Sequence, residues 1–148
     1  MPQLPDALLV DSLVGAQGRS QALPLLQEWA FDFERMQFKV DASGLPFLVQ
    51  RNEALKVWLF WAVTTERKRW RANSRGYGAE IERMIGMPVT TAIKSSELKR
   101  SIREAVEQCA YVKRVNRIDA TLEDGVVVVS VDVCSVYDNE VVSVRVEV

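Results

Sequence analysis

Apolar and polar residues alternate along the last third of the chain with the period of a β-strand. In the final segment valines fall on one side and polar residues on the other. Asp124-Gly125 separates two β-branched runs and is a strong signal for a type I′ hairpin. The pattern predicts an antiparallel meander with strands over residues 115–122, 126–135, 137–140 and 141–148.

A shorter alternation lies near the start of the chain. Trp29, Phe31 and Phe33 alternate with smaller or acidic residues, which predicts a half-buried strand. A second extended segment is predicted over residues 46–49, after turn residues that include Gly44. The two segments are expected either to form a hairpin or to flank the main sheet.

Three segments show the three- and four-residue spacing of helices. The first runs over residues 52–68 with Asn52 as N-cap, and it is apolar on most sides, so we expect it to be central. The second covers 79–85 with Gly86 as its C-terminal cap. The third begins at Ser95 or Ser96 and continues to residue 111. The predicted class is α+β: a mainly antiparallel sheet with three helices packed on one face.

The chain length of 148 residues fits one domain preceded by an arm. Residues 1–27 mix proline and glycine with short apolar clusters, so we expect an N-terminal arm there and a single domain over 28–148. The first ten residues lack the basic region of a secretory signal. No apolar run approaches the ~18 residues of a membrane span. We therefore expect a soluble protein made in the cytoplasm, without a membrane partner.

The residue types that are missing exclude several chemistries. The chain has no histidine, which removes the commonest general base and the commonest zinc ligand. Its cysteines, Cys109 and Cys134, lack the spacing of a metal knuckle or redox motif and are expected to be buried free thiols. We predict no metal, no cofactor and no catalytic residue.

Carboxylates supply the one enzymatic alternative. A cell-wall glycoside hydrolase acting through Glu66 or Glu80 would need two carboxyl groups across a cleft. Glu80 and Glu82 lie two positions apart on a predicted helix and therefore point in different directions. Solvated or ion-paired roles are the simpler interpretation of these residues.

A basic stretch follows the first predicted helix, with Trp70 among its cations and Gly76-Tyr77-Gly78 after it. Glycines beside an aromatic residue indicate a tight loop, with positive φ as one option. Cations with an aromatic ring suit a nucleic acid, but arginine and tryptophan are also favoured in protein interfaces. The net charge of −1 gives no global bias toward nucleic acid. We expect a protein partner and no nucleic acid.

The last strand is a candidate for strand addition. A regular strand at the end of a chain is well placed to lie at a sheet edge, where its free amides and carbonyls accept another protein's strand. About five added bonds at roughly 0.5–1.5 kcal/mol each would contribute several kcal/mol.

Several of these local patterns, in this order, resemble the small baseplate wedge proteins of contractile phage tails. This lysozyme-like wedge component has a type VI secretion counterpart. The likeness is closest to the branch of Gram-positive prophages and phage-tail-like bacteriocins, and it covers residues 28–148. The fragments that carry it are Trp29-Ala30-Phe31-Asp32-Phe33-Glu34, Asn52-Glu53-Ala54-Leu55-Lys56-Val57-Trp58, Thr65-Glu66-Arg67 and Tyr77-Gly78-Ala79-Glu80-Ile81.

The resemblance implies a structural protein without catalysis. Relatives join the bundle of larger wedge proteins to the sheath and seed sheath assembly by strand addition, in several copies around a sixfold baseplate. Sheath and larger wedge proteins are the implied partners, with hub or tube proteins as further candidates. The implied location is the host bacterial cytoplasm during assembly and the baseplate of the mature particle.

Many relatives carry an acidic residue, proline and arginine after the third helix, and this triplet contacts the wedge bundle. Here the stretch is Val112-Lys113-Arg114, in which Arg114 alone is retained. The expected interface residues are Glu66, Arg67, Arg69, Trp70, Arg71, Arg75, Tyr77, Arg114, Val142, Val144, Val146 and Val148.

Overall fold

The computed structural model describes residues 22–67, 77–86, 88, 90–138 and 140–148. Within them the strands are β1 (Gln27–Trp29), β2 (Phe31–Asp32), β3 (Gln37–Phe38), β4 (Leu48–Gln50), β5 (Val112–Glu123), β6 (Val126–Ser135) and β7 (Val141–Glu147). The helices are α1 (Arg51–Thr64), α2 (Ile81–Ile85) and α3 (Thr91–Glu107). The predicted α+β class is confirmed.

The C-terminal strands form an antiparallel sheet in the order β5-β6-β7. Asp124 and Gly125, which join β5 to β6, have φ values of 50° and 79°. Two successive positive φ angles are what a type I′ turn requires, so the hairpin prediction is confirmed. The predicted strand over 137–140 is wrong for the residues that the structure describes there, 137, 138 and 140, because none of them is in a strand. There the Ser135 hydroxyl accepts the N–H groups of Tyr137 and Asp138 at 3.3 and 3.4 Å, which turns the chain before β7.

The core lies between this sheet and the helices. α1 packs against β7 and α3 packs against β5. Buried residues occur all around α1, so its predicted central position is confirmed. Cys109 and Cys134 are buried free thiols, as expected. None of the described helices is long and apolar enough to cross a membrane. The valines that β6 and β7 bury are Val127, Val129, Val131, Val133, Val142, Val144 and Val146.

The predicted strand around Trp29 is split in two. Ala30 donates its N–H to Phe47 O and accepts from Lys39 N–H, both at 2.9 Å, so one residue joins two different pairings. β1 pairs with β4, whereas β2 pairs with β3. The strict alternation is therefore wrong: Ala30 and Phe31 are both buried, while Trp29 is 49% exposed.

Two predicted helix starts are also wrong. The N-cap of α1 is Gln50, two residues before the predicted Asn52, because Asn52 instead accepts the Ser135 hydroxyl at 2.6 Å. α3 begins at Thr91, because the Ser95 hydroxyl donates to Ala120 O at 2.9 Å and caps no helix. In both cases a long-range contact takes the side chain that local capping would use.

The lead-in to β1 is attached to the rest of the molecule from Pro24 onward. Leu26 N–H donates to the Tyr137 hydroxyl at 2.8 Å, and the Tyr111 hydroxyl donates to Pro24 O at 2.7 Å. The Tyr111 and Tyr137 rings stack with centroids 6.0 Å apart. The division into an arm over 1–27 and a domain over 28–148 stays a prediction.

Candidate protein-interaction surfaces

Most of the predicted basic loop lies outside the described residues, and this includes Arg69, Trp70, Arg71 and Arg75. Its two flanks are joined. Arg67 N–H donates to Ala79 O and Ala79 N–H donates to Thr65 O, each at 3.0 Å, around a parallel bridge between Glu66 and Ala79. The described residues on the two sides of 68–76 are therefore held together by these backbone bonds.

Gly78 makes this close approach possible. Its φ is +94°, and a Cβ on this residue would lie 2.5 Å from Thr65 O. Both the left-handed backbone and the missing side chain are properties of glycine, so the prediction of positive φ is confirmed here.

The charge of Arg67 is used within the domain. Its Nε donates to Gly78 O at 3.1 Å, and its Nη1 contacts a carboxylate oxygen of Glu104 at 3.2 Å. Only 14% of the side chain is exposed. Arg67 therefore ties the flank of the loop to α3, and little of its guanidinium faces a partner.

Tyr77 packs on α1 beside Trp58, with ring centroids 5.7 Å apart and an edge-on geometry. Burial, and next the charge of Glu28, raise the pKa of Tyr77 to about 12. Burial also raises the pKa of the Glu28 carboxyl above its usual value. The ring of Tyr77 therefore anchors the far flank of the loop.

The carboxylates considered for hydrolysis make local contacts. Glu66 accepts the N–H of Glu82 at 3.2 Å, at the start of α2. Glu80 forms an ion pair with Arg83 at 3.5 Å, and its own N–H donates to the Ser101 hydroxyl at 2.7 Å. The carboxylate of Glu66 thus bonds α2 to the segment that follows α1, and the backbone of Glu80 bonds the start of α2 to α3.

Arg114 lies exposed near the start of β5. The β5–β6 register shifts between Val112 and Arg114 and again between Val115 and Arg117, so Arg114 lies between two irregularities. Its Nε donates to the Asn116 side chain at 3.0 Å. A concavity of about 440 Å³ adjoins it, lined by Arg103, Glu107, Val112, Lys113, Arg114 and Val115. Three of these side chains are cationic and one is anionic, so the site suits an acidic surface.

The outer edge of β7 carries no other strand among the described residues. Val127 and Val148 exchange N–H···O bonds of 2.9 and 2.8 Å, and the register from there to Val141 has no shift. In an antiparallel pair, every second residue points both backbone groups at its partner. Val142, Val144 and Val146 therefore bond to β6, whereas Val141, Ser143, Arg145 and Glu147 direct theirs outward.

The predicted interface valines thus have two distinct positions. Val142, Val144 and Val146 are buried with their side chains in the core, while Val148 is exposed. The residues whose backbone groups face outward are their odd-numbered neighbours. The alternation of valines predicts the strand but not this division, because the pairing register with β6 decides which residues of β7 direct their backbone groups outward.

The other edge of the sheet, β5, is less open. The Ser95 hydroxyl occupies Ala120 O, which points away from β6, and the two register shifts interrupt the strand. Both features protect an edge from pairing. β7 has no register shift, and no contact of this kind from the described part of the chain occupies its outer edge.

A large apolar patch was missed at the sequence level. Trp29, Phe38, Val40 and Pro46 line a concavity of about 300 Å³, and Leu45 nearby is 61% exposed. The missed signal was the number of large apolar residues between 29 and 48, which exceeds what two short hairpins can bury. Exposed patches of this kind mark protein contacts.

A comparison with protein families identifies a matching family. The model of the contractile injection system sheath initiator family matches residues 27–138, which is about three quarters of the chain. The matched range runs from β1 through β6 and ends before β7. No curated protein matches the chain. The chain belongs to the family of contractile injection system sheath initiators, which are baseplate components that seed sheath assembly.

Proposed function

We propose that this sheath initiator seeds the sheath by accepting a strand of the sheath protein at the outer edge of β7. The single observation that supports this most strongly is the row of outward backbone groups at Val141, Ser143, Arg145 and Glu147. An extended polypeptide is the ligand that matches such a row, because only another strand satisfies N–H and C=O groups spaced two residues apart.

The free energy gained by adding one strand is large enough to nucleate sheath assembly. Several added backbone bonds at roughly 0.5–1.5 kcal/mol each contribute several kcal/mol before the cost of ordering the incoming strand. β7 is also held rigidly, since its three buried valines contact α1 and β6 on the core side. A rigid edge loses little entropy on binding, so more of the bond energy remains as affinity.

Further contacts complete the proposal. The concavity beside Arg114 is proposed to receive an acidic surface of the larger wedge proteins. The region from Arg67 to Gly78 is proposed as a further contact with other wedge proteins. Several copies around a sixfold baseplate would present one β7 edge each to the first sheath ring. The protein would be made in the host bacterial cytoplasm and end in the baseplate of a phage tail or related particle.

Deleting β7 would be a poor test, because it removes Val142, Val144 and Val146 from the core. The substitution Ser143→Pro is a more specific test of strand addition. The Ser143 N–H points outward, so proline removes a donor from the open edge without breaking a bond to β6. Ser143→Ala is the matched control, since it removes the hydroxyl and keeps the N–H.

We expect Ser143→Pro to weaken binding of purified sheath protein at least about tenfold, which corresponds to roughly 1.4 kcal/mol. Particles assembled with it should show baseplates without sheath in electron micrographs. Ser143→Ala should bind within about twofold of the original chain. Equal sheath binding by the proline and alanine variants, with both folded, would refute strand addition at β7.

A further inference from the structure

A groove of about 630 Å³ runs beside the C-terminal half of β7. β7 forms one wall, and the other comes from the turn at residues 33–36 and from Phe60 on α1. No residue of β6 lines it among those the structure describes, so the groove lies toward the outer edge of β7. Its lining is Phe33, Glu34, Met36, Phe60, Arg145, Val146 and Glu147.

We propose that this groove selects the incoming strand, by receiving an apolar side chain that contacts Met36, Phe33 and Phe60. The inference rests on the proposed strand addition and adds its specificity. A strand paired with β7 places every second side chain on the core side, and one of these lies opposite Val146, which lines the groove. An apolar side chain there would match the apolar part of the lining, formed by Phe33, Met36 and Phe60.

The turn itself supports this role. Met36 has a φ of +55°, which is uncommon for a residue with a side chain, and the residue is 60% exposed. Glycine or asparagine would fit this backbone with less strain. A strained position that holds an exposed apolar side chain beside an open strand edge is consistent with a contact site.

The charged residues on the solvent-facing side of β7 add a second criterion for the incoming strand. Arg145 and Glu147 point away from the core, and neither has an ion-pair partner in the part of the chain that the structure describes. Cross-strand neighbours of opposite charge stabilise a pair of strands, and like charges destabilise it. The selected segment is therefore an extended stretch of sheath protein. It carries apolar residues at alternate positions, with an acidic residue opposite Arg145 and a basic residue opposite Glu147.

Met36→Asn tests the groove, because asparagine tolerates the left-handed backbone and removes the apolar side chain. The matched control is Ile93→Asn, which makes a similar change at an exposed apolar residue of α3 that lines neither this groove nor the apolar concavity at Trp29. The measurement is the affinity of each purified full-length variant for purified sheath protein, with thermal unfolding as the check of the fold. We expect Met36→Asn to bind about tenfold more weakly and Ile93→Asn to bind within about twofold of the original.

The outcomes separate the two proposals. If Met36→Asn binds normally while Ser143→Pro does not, the groove inference is overturned and strand addition stands. If both bind normally, both are overturned. Equal loss in Met36→Asn and Ile93→Asn would also overturn the groove inference, since the effect on affinity would then not depend on position. A stable dimer of the purified chain that Ser143→Pro abolishes would assign the edge and groove to a second copy, which overturns the assignment to sheath.

A positional measurement completes the test. A photo-cross-linking residue at position 36 should capture one short segment of purified sheath protein, and the same residue at position 147 should capture that segment as well. The captured segment should have the alternating apolar pattern described above. Capture of two unrelated segments, or of a segment without that pattern, would contradict the inference.

Discussion

At the scale of single residues, Gly78 and Arg67 hold the two flanks of segment 68–76 together. Gly78 lets the backbone pass close to Thr65 O, and Arg67 then bonds to the carbonyl of that glycine at 3.1 Å. The contact of Arg67 with Glu104, whose side chain is 48% exposed, adds little because water screens it. Backbone geometry therefore contributes more than charge to holding these two flanks together.

Gly78→Ala should destabilise the fold more than the same change at Gly44. Both residues have positive φ, +94° and +80°, so alanine brings a backbone cost of roughly 1–2 kcal/mol at each. At Gly44 nothing lies within 4 Å of the new Cβ, whereas at Gly78 it would meet Thr65 O at 2.5 Å. We expect a loss of about 3 kcal/mol or more for Gly78→Ala in urea unfolding. Equal losses at the two positions would contradict the steric argument.

Tyr77 should make stability fall at alkaline pH. Its folded-state pKa of about 12 lies above the ordinary value of 10.0, so its neutral form is favoured by folding. This contribution is fully present below pH 10 and is lost as the pH rises toward 12. The tyrosinate absorbance of the folded protein, compared with that of Tyr77→Phe, reports the titration. A Tyr77→Phe variant with the same loss of unfolding free energy between pH 10 and 12 would show that another group is responsible.

At the scale of elements, the sequence predicts what local chemistry determines. The β5–β6 hairpin follows from Asp124-Gly125, and β7 follows from the alternation of its valines. The break at Ala30 was not predictable, because it arises from hydrogen bonds to Phe47 and Lys39 on two other segments. The start of α1 was missed for the same reason, since Asn52 bonds to Ser135, 83 positions away.

The candidate site, too, depends on long-range contacts that the sequence does not predict. The identity of the terminal strand was readable from the sequence, but not which of its residues present backbone groups to a partner. Whether the odd- or the even-numbered residues of β7 do so depends on the pairing of Val127 with Val148. The greater openness of β7 than β5 depends in turn on the contact between Ser95 and Ala120. Both are long-range features, so no window along the chain contains them.

At the scale of the whole molecule, the proposed sheath and wedge contacts use opposite edges of one three-stranded sheet. β7 offers its outer edge, and the concavity beside Arg114 adjoins β5 on the other side of β6. Two strand spacings separate them, about 10 Å. A rigid sheet of this width joins two partners without itself changing shape, which suits a part that fixes the first sheath ring to the baseplate.

Arg114→Glu should separate the two contacts. Reversing this charge places a carboxylate in a site proposed to receive an acidic surface, so binding to purified larger wedge proteins should weaken about tenfold or more. Binding to purified sheath protein should stay within about twofold, because β6 lies between Arg114 and the β7 edge. Lys99→Glu, at an exposed cation on α3 outside this concavity, is the control and should leave both affinities unchanged.

The double variant Arg114→Glu, Ser143→Pro tests whether the two edges of the sheet act independently. If the two edges act independently, each change reduces one affinity by the same factor whether or not the other is present. The sheet would then be a passive connector, and both affinities can be measured on the four combinations of variants. A fall in sheath affinity caused by Arg114→Glu alone would mean that the two edges are coupled, and the molecule would then transmit wedge docking to the strand that receives the sheath.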